Sequence, residues 1–459
     1  MTNTSFAALG VPPVLVDALK GMDRETPFPI QSDTLPDTLA GRDVLGRGKT
    51  GSGKTLAFAI PMVAALAGRR GRNPRGLVLA PTRELATQIT ATFEPLAKAV
   101  GLSVTTIFGG VPQGRQETAL RRGADIVVAC PGRLDDLMKQ GIARLDEIEV
   151  TVLDEADHMA DLGFLPVVTR ILDKTPRKGQ RMLFSATLDN GVDKLVKKYL
   201  ADPVKHSVDD ENSPVAQMTH HVFEVSDADK PQLVKALASG MGRRILFTRT
   251  KHQAKKLAKQ LTASGVPAVD LHGNLSQNAR DRNLAAFSDG SVKVLVATDV
   301  AARGVHVDNV ELVVHVDPPV EHKAYLHRSG RTARAGSAGD VATVMLPSQR
   351  SDTAAILRRA KIDVRAQRVT ADAAPIKSLV GQYAPHVAPA LGGPGVGNEP
   401  RQPQPAGRPR SGRPSSGSRQ PTSQSQGARS GGGSRQGGMA GFSSSRRSTG
   451  GGRGRSRVA

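Results

Sequence analysis

The chain has 459 residues, room for two or three domains that each bury a core. Its net charge of +21, from 63 basic and 42 acidic residues, points to a polyanionic partner, either nucleic acid or an acidic membrane surface. One cysteine, Cys130, excludes an intrachain disulfide. With no leader pattern in the first residues, a soluble, reducing, cytoplasmic setting is expected.

In chain order, residues 43–46 read as a short buried strand and 56–67 as an apolar helix; that helix contains Pro61 and is too short to span a bilayer. Between them lies Gly48-Lys49-Thr50-Gly51-Ser52-Gly53-Lys54-Thr55. Strand, glycine-rich turn, Lys-Thr and helix form the context of a phosphate-binding loop. Glycines let backbone N–H groups wrap the phosphates, and the helix N-terminus adds its positive end. Lys54 can reach the outer phosphates, while the Thr55 hydroxyl can hold Mg²⁺.

Short Val/Ile/Leu runs then alternate with amphipathic stretches. Strands are expected at 76–80, 104–108, 125–129, 150–153 and 181–184, with helices at 83–100, 113–122, 132–140 and 190–200. This alternation spells βαβ units and a parallel sheet. Asp154 and Glu155 follow the 150–153 run, with Asp154 100 residues after Lys54. A carboxylate at the C-terminal end of a buried parallel strand points into the nucleotide crevice. Asp154 can hold the Mg²⁺ shell, and Glu155 can orient and deprotonate an attacking water. A polar stretch around 206–217 reads as a linker. Alternation restarts with strands expected at 221–225, 244–247, 268–271, 292–297, 310–314 and 341–346, and helices at 230–238, 252–264 and 278–287, but without a second phosphate loop.

From about residue 391 the composition turns to Gly, Ser, Pro, Gln and Arg. Residues 391–459 hold 12 Arg, no Lys and one acid, Glu399, a net charge of +11. Such a segment buries too little apolar surface to offset its ordering entropy and is expected to be disordered.

Asp154-Glu155-Ala156-Asp157 resembles the signature of the DEAD-box RNA helicases, and further motifs follow in that family's order. They are Thr26-Pro27-Phe28-Pro29-Ile30-Gln31, Pro81-Thr82-Arg83-Glu84-Leu85-Ala86, Gly109-Gly110, Pro131-Gly132-Arg133 and Ser185-Ala186-Thr187. Later come Phe247-Thr248-Arg249-Thr250, Gln277 with Arg280, the run from Thr298 and Asp299 to Gly304, and the run from His327 to Arg334. The resemblance covers roughly residues 5–345. It implies two tandem RecA-like α/β domains with parallel sheets: 1–205, a linker at 206–217, and 218–370, followed by an extension and basic tail at 371–459.

The resemblance also implies roles. Gln31 would read the adenine of ATP, with Phe6 stacking on the base or serving as a hydrophobic staple. Arg331 and Arg334 would reach the γ-phosphate as arginine fingers. Ser185, Thr187, Asp157, His327 and Asp299 would couple the nucleotide site to RNA, and Arg83, Gly110, Arg133, Arg280 and Thr298 would line the RNA face. Departures from the family pattern are Gly48 for Ala, Phe28 and Cys130 for Thr, His306 for Asp and Ala333 for Gly. The implied activity is RNA-stimulated, Mg²⁺-dependent ATP hydrolysis coupled to RNA remodelling, by a monomer with little sequence preference. A DNA-directed helicase, or a chaperone that anneals RNA through its tail, is the alternative.

Overall fold

The computed structural model describes residues 4–48, 51–69, 71–188, 190–208, 218–302, 307, 309–333 and 338–388. Lys49, Thr50, His306, Arg334 and the tail beyond residue 388 lie outside the described residues.

The first seven strands are β1 (Val44–Arg47), β2 (Gly76–Leu79), β3 (Val104–Ile107), β4 (Ile126–Ala129), β5 (Val150–Leu153), β6 (Gln180–Ser185) and β7 (Val204–Ser207). They form one sheet in the order β3-β4-β2-β5-β6-β1-β7. The second seven are β8 (Met218–Glu224), β9 (Arg243–Thr248), β10 (Ala268–Leu271), β11 (Val294–Thr298), β12 (Val310–His315), β13 (Gly339–Met345) and β14 (Ala366–Arg368), in the order β10-β11-β9-β12-β13-β8-β14. Every pairing within both sheets is parallel. The outcome is two RecA-like α/β lobes in tandem.

Parallel sheets are covered by helices on both faces, which explains the near-continuous apolar runs of their strands. In β2, Val78 joins the core on one side of the sheet while Leu77 and Leu79 join the core on the other. Likewise Leu246 of β9 faces one core of the second lobe, and Ile245 and Phe247 face the other. The helix Lys54–Leu66 is apolar nearly all round because it is buried between the sheet and the neighbouring helices; Phe58, Ala59, Ile60, Met62 and Val63 are fully enclosed.

Two edge strands escaped the sequence pattern. Strand β7 alternates half-buried and exposed residues, and it takes His206 and Ser207 from the stretch read as linker. Strand β14 has three residues. Past it, the helix Ala374–Val380 sets Ile376 and Val380 into the second lobe's core, so ordered packing continues beyond residue 370.

Candidate active site

The phosphate loop starts where β1 ends. Gly51 and Gly53 have φ of 91° and 89°, a region that side-chain-bearing residues avoid. Gly53 caps the helix Lys54–Leu66, and a Cβ there would collide with the Gln31 amide. Lys54 is buried at the first helical position, with Nζ donating to the Gly48 carbonyl. Thr55 follows at the second position, half-buried.

Gln31, 1% exposed, ties this loop to the helix Pro29–Leu39. Its Nε2 donates to the Gly53 carbonyl at 2.8 Å, and its Oε1 accepts the Phe28 N–H at 2.9 Å. Phe6 is 2% exposed and sits in the first lobe's core. The aromatic exposed beside the loop is Phe28.

Asp154 follows β5; its N–H donates to the Leu79 carbonyl, and its Oδ1 accepts the Glu155 N–H at 3.0 Å. Burial pushes its carboxyl up to about 7; Lys54 pulls against that rise, and Glu155 and Asp157 add to it. Glu155 turns the chain with φ 51° and ψ 52°, a left-handed conformation costing a non-glycine residue about 1–2 kcal/mol. Burial opposes ionisation of Glu155 too. The His158 hydrogen bond, with the charges of His158, Arg331 and Lys54, outweighs it and holds the carboxyl down at about 2.

Three of the residues expected to couple nucleotide and RNA, Asp157, Ser185 and Thr187, meet here. Asp157 Oδ2 accepts both the N–H and the Oγ1–H of Thr187 at 2.9 Å, while the Asp157 N–H donates to Ser185 Oγ at 3.2 Å. Ser185 Oγ in turn donates to the Thr187 carbonyl at 2.7 Å. From the second lobe, Arg328 grips Asp299 with two hydrogen bonds and reaches the Asp317 carbonyl. That pairing fixes the helix His322–Ser329, which carries His327 and leads into Arg331. One small pocket is lined by Lys54, Glu155, Asp157, His158 and Ala186 of the first lobe together with His327 and Arg331 of the second.

Of the residues expected to line an RNA face, the first-lobe group assembles. Arg83 stands directly over Gly110, where φ is +79° and any Cβ would strike the guanidinium. Arg133 donates to the Val111 carbonyl at 3.4 Å. Thr298 ends β11, half-buried. Arg280 makes a 2.7 Å ion pair with the buried Glu84 across the lobes, its side chain 11% exposed. Arg83 also crosses, donating to Gln277 Oε1 at 2.9 Å. Glu84 and His158 are the site residues that sequence reasoning missed. Glu84 lies next to Arg83 in its motif, and His158 lies three residues after Glu155 on the same helical face.

A phosphate loop facing an acidic strand end, closed by arginine from a second parallel sheet, defines the two-lobed RecA-like class. Residues 28–195 match the family profile for DEAD/DEAH box helicases, and residues 229–336 match the helicase conserved C-terminal domain. The chain is 39% identical to the ATP-dependent RNA helicase RhlB of Pseudomonas syringae, across 73% of this chain and 88% of that protein. It is 43% identical to the mitochondrial DEAD-box ATP-dependent RNA helicase 9 of Arabidopsis thaliana, across 73% of this chain but only 56% of the plant protein. Among solved structures, Saccharomyces cerevisiae Dbp5 bound to RNA and ADP BeF3 superposes with a TM-score of 0.73 at 29% identity, covering 82% of this chain and 100% of that one. The chain belongs to the DEAD-box ATP-dependent RNA helicase family.

Among the described residues no helix is long and apolar enough to cross a membrane, and no group of three or more His, Cys, Asp or Glu forms a metal cage.

Proposed function

We propose that this chain hydrolyses ATP in response to RNA and uses the cycle to part short RNA duplexes or strip RNA–protein contacts. The observation that carries the reading is the shared pocket, which sets Lys54 and Glu155 of one lobe against Arg331 of the other. The RNA-bound Dbp5 structure and the names of the relatives support it.

Lys54 and the loop N–H groups hold the phosphates. Asp154 and Thr55 are the residues that would hold Mg²⁺. Burial forces the Asp154 carboxyl up to about 7, and a divalent cation beside it would offset the cost of its charge. Magnesium binds through one or two carboxylates plus substrate phosphates, so no all-protein cage is needed. The chemistry it supplies there is neutralisation of phosphate charge. Glu155 orients the attacking water. His158, Arg331 and Lys54 hold its carboxyl low, so it meets that water as a carboxylate. Arg331, and Arg334 three residues after it, stabilise charge developing on the transferred phosphoryl group, an effect of about 10³–10⁵ in rate for such arginines.

Gln31 selects adenine and, through Gly53, reports the base to the phosphate loop. Arg83, Gly110, Arg133 and Thr298 contact the RNA backbone, which gives little sequence preference. Arg280 joins them only when its bond to Glu84 opens. The Asp157–Ser185–Thr187 hydrogen bonds tie the acidic turn to the end of β6 and carry the coupling. The test is ATP turnover by the full chain alone, with single-stranded RNA and with single-stranded DNA. RNA should stimulate strongly and DNA weakly; equal stimulation would support a DNA-directed helicase instead.

A further inference from the structure

His158 lies one turn beyond Glu155, within the helix Ala156–Asp161. Its ring is 3% exposed, with Nδ1 at 3.1 Å from Glu155 Oε2. Its other nitrogen, Nε2, is buried without a hydrogen-bond partner among the described residues. Burying an unsatisfied imidazole nitrogen is unfavourable, so an apolar side chain would pack there at less cost. The one side-chain contact that offsets this cost, among the described residues, is the bond to Glu155.

That bond has competitors. Lys54 and Arg331 line the same pocket and both attract the Glu155 carboxylate. Left alone, the carboxylate would swing to whichever cation lay nearer and lose its aim at a water. Asp154 and Asp157, in the same turn, repel it without fixing a direction, and His327 completes the ring of titratable groups around the pair. A short, buried donor on the same helical face supplies the direction.

We infer that His158 is a positioning residue that holds the Glu155 carboxylate, through Nδ1–H, in the orientation needed to direct the attacking water. The bond needs a hydrogen on Nδ1, which Glu155 Oε2 accepts. This role for His158 rests on the proposed role of Glu155 as the residue that orients the water.

The test compares His158→Ala and His158→Asn with wild type in RNA-stimulated ATP turnover, with Glu155→Gln as control. Asparagine places an amide N–H near the position of Nδ1 and cannot carry charge. His158→Ala should lower kcat about tenfold or more while the KM for ATP stays within about twofold, and His158→Asn should recover to within about threefold of wild type. A purely structural role would lower both variants together or raise KM, and either result overturns the inference. So would a His158→Ala kcat within about twofold of wild type. If the alanine variant fails to fold, His158→Leu, which fills the space without a donor, takes its place with the same expectations. Normal turnover by Glu155→Gln would instead refute the role given to Glu155 itself, which separates the two failures.

Discussion

Replacing Asp154 by Asn should make the nucleotide-free protein more stable while abolishing turnover. The Asp154 carboxyl rises from 3.8 to about 7 through burial, so between those values the folded protein keeps a proton that the unfolded chain has released. Stability contributed at this site therefore falls as pH rises through that window. At about 1.4 kcal/mol per pKa unit, full ionisation of Asp154 costs the fold about 4 kcal/mol at most. Asparagine mimics the neutral acid in both states. Its advantage should be about 4 kcal/mol at pH 8, fall below about 2 kcal/mol at about pH 5, and vanish below the ordinary carboxyl value of about 3.9. Urea unfolding at about pH 8, 6.5 and 5 reads it directly. Magnesium and ATP should narrow the gap at about pH 8 and reverse it only near pH 5: at a hundredfold excess over Kd, wild type gains about 2.7 kcal/mol and the variant much less. A variant less stable than wild type at about pH 8, or a gain independent of pH, would refute the reasoning. Equal stabilisation of both proteins by magnesium and ATP would remove Asp154 from the metal site.

Two other outcomes are expected. Arg280→Gln leaves Glu84 buried without its cation, a loss of about 3 kcal/mol or more for a desolvated pair, so the lobes should separate more often; fluorescence transfer between dyes on the two lobes would show it, and an unchanged distribution would mean that this pair does not hold the lobes together. Removing the residues after Ala390 should flatten the salt dependence of RNA affinity by about 4–6 logarithmic units per decade, if about six to eight of the 12 tail arginines meet phosphates; equal slopes would exclude the tail from binding.

The lobes and most of their strands were legible because sheets buried on both faces force uninterrupted Val/Ile/Leu runs, as in Ile126–Ala129, where every residue is enclosed. The short edge strands β7 and β14 were not, since strands half open to solvent carry no such run. Within the site, Lys54, Asp154 and Glu155 could be read from spacing. The left-handed turn at Glu155 could not, because nothing in a Leu-Asp-Glu-Ala sequence marks a positive φ. Nor could the company each residue keeps. Phe6, expected to stack on the base or to serve as a staple, lies buried in the core, and Arg280 pairs with Glu84 across the lobes. Both placements come from tertiary contacts between residues far apart in sequence.

The central claim is that hydrolysis needs both lobes at one pocket. Steady-state ATP turnover by Arg331→Ala, with and without saturating RNA, tests it most directly. The expected result is that kcat with RNA falls by about 10³ or more while ATP affinity changes little. Turnover that remains RNA-stimulated at near wild-type kcat, or a loss confined to ATP affinity, would contradict it.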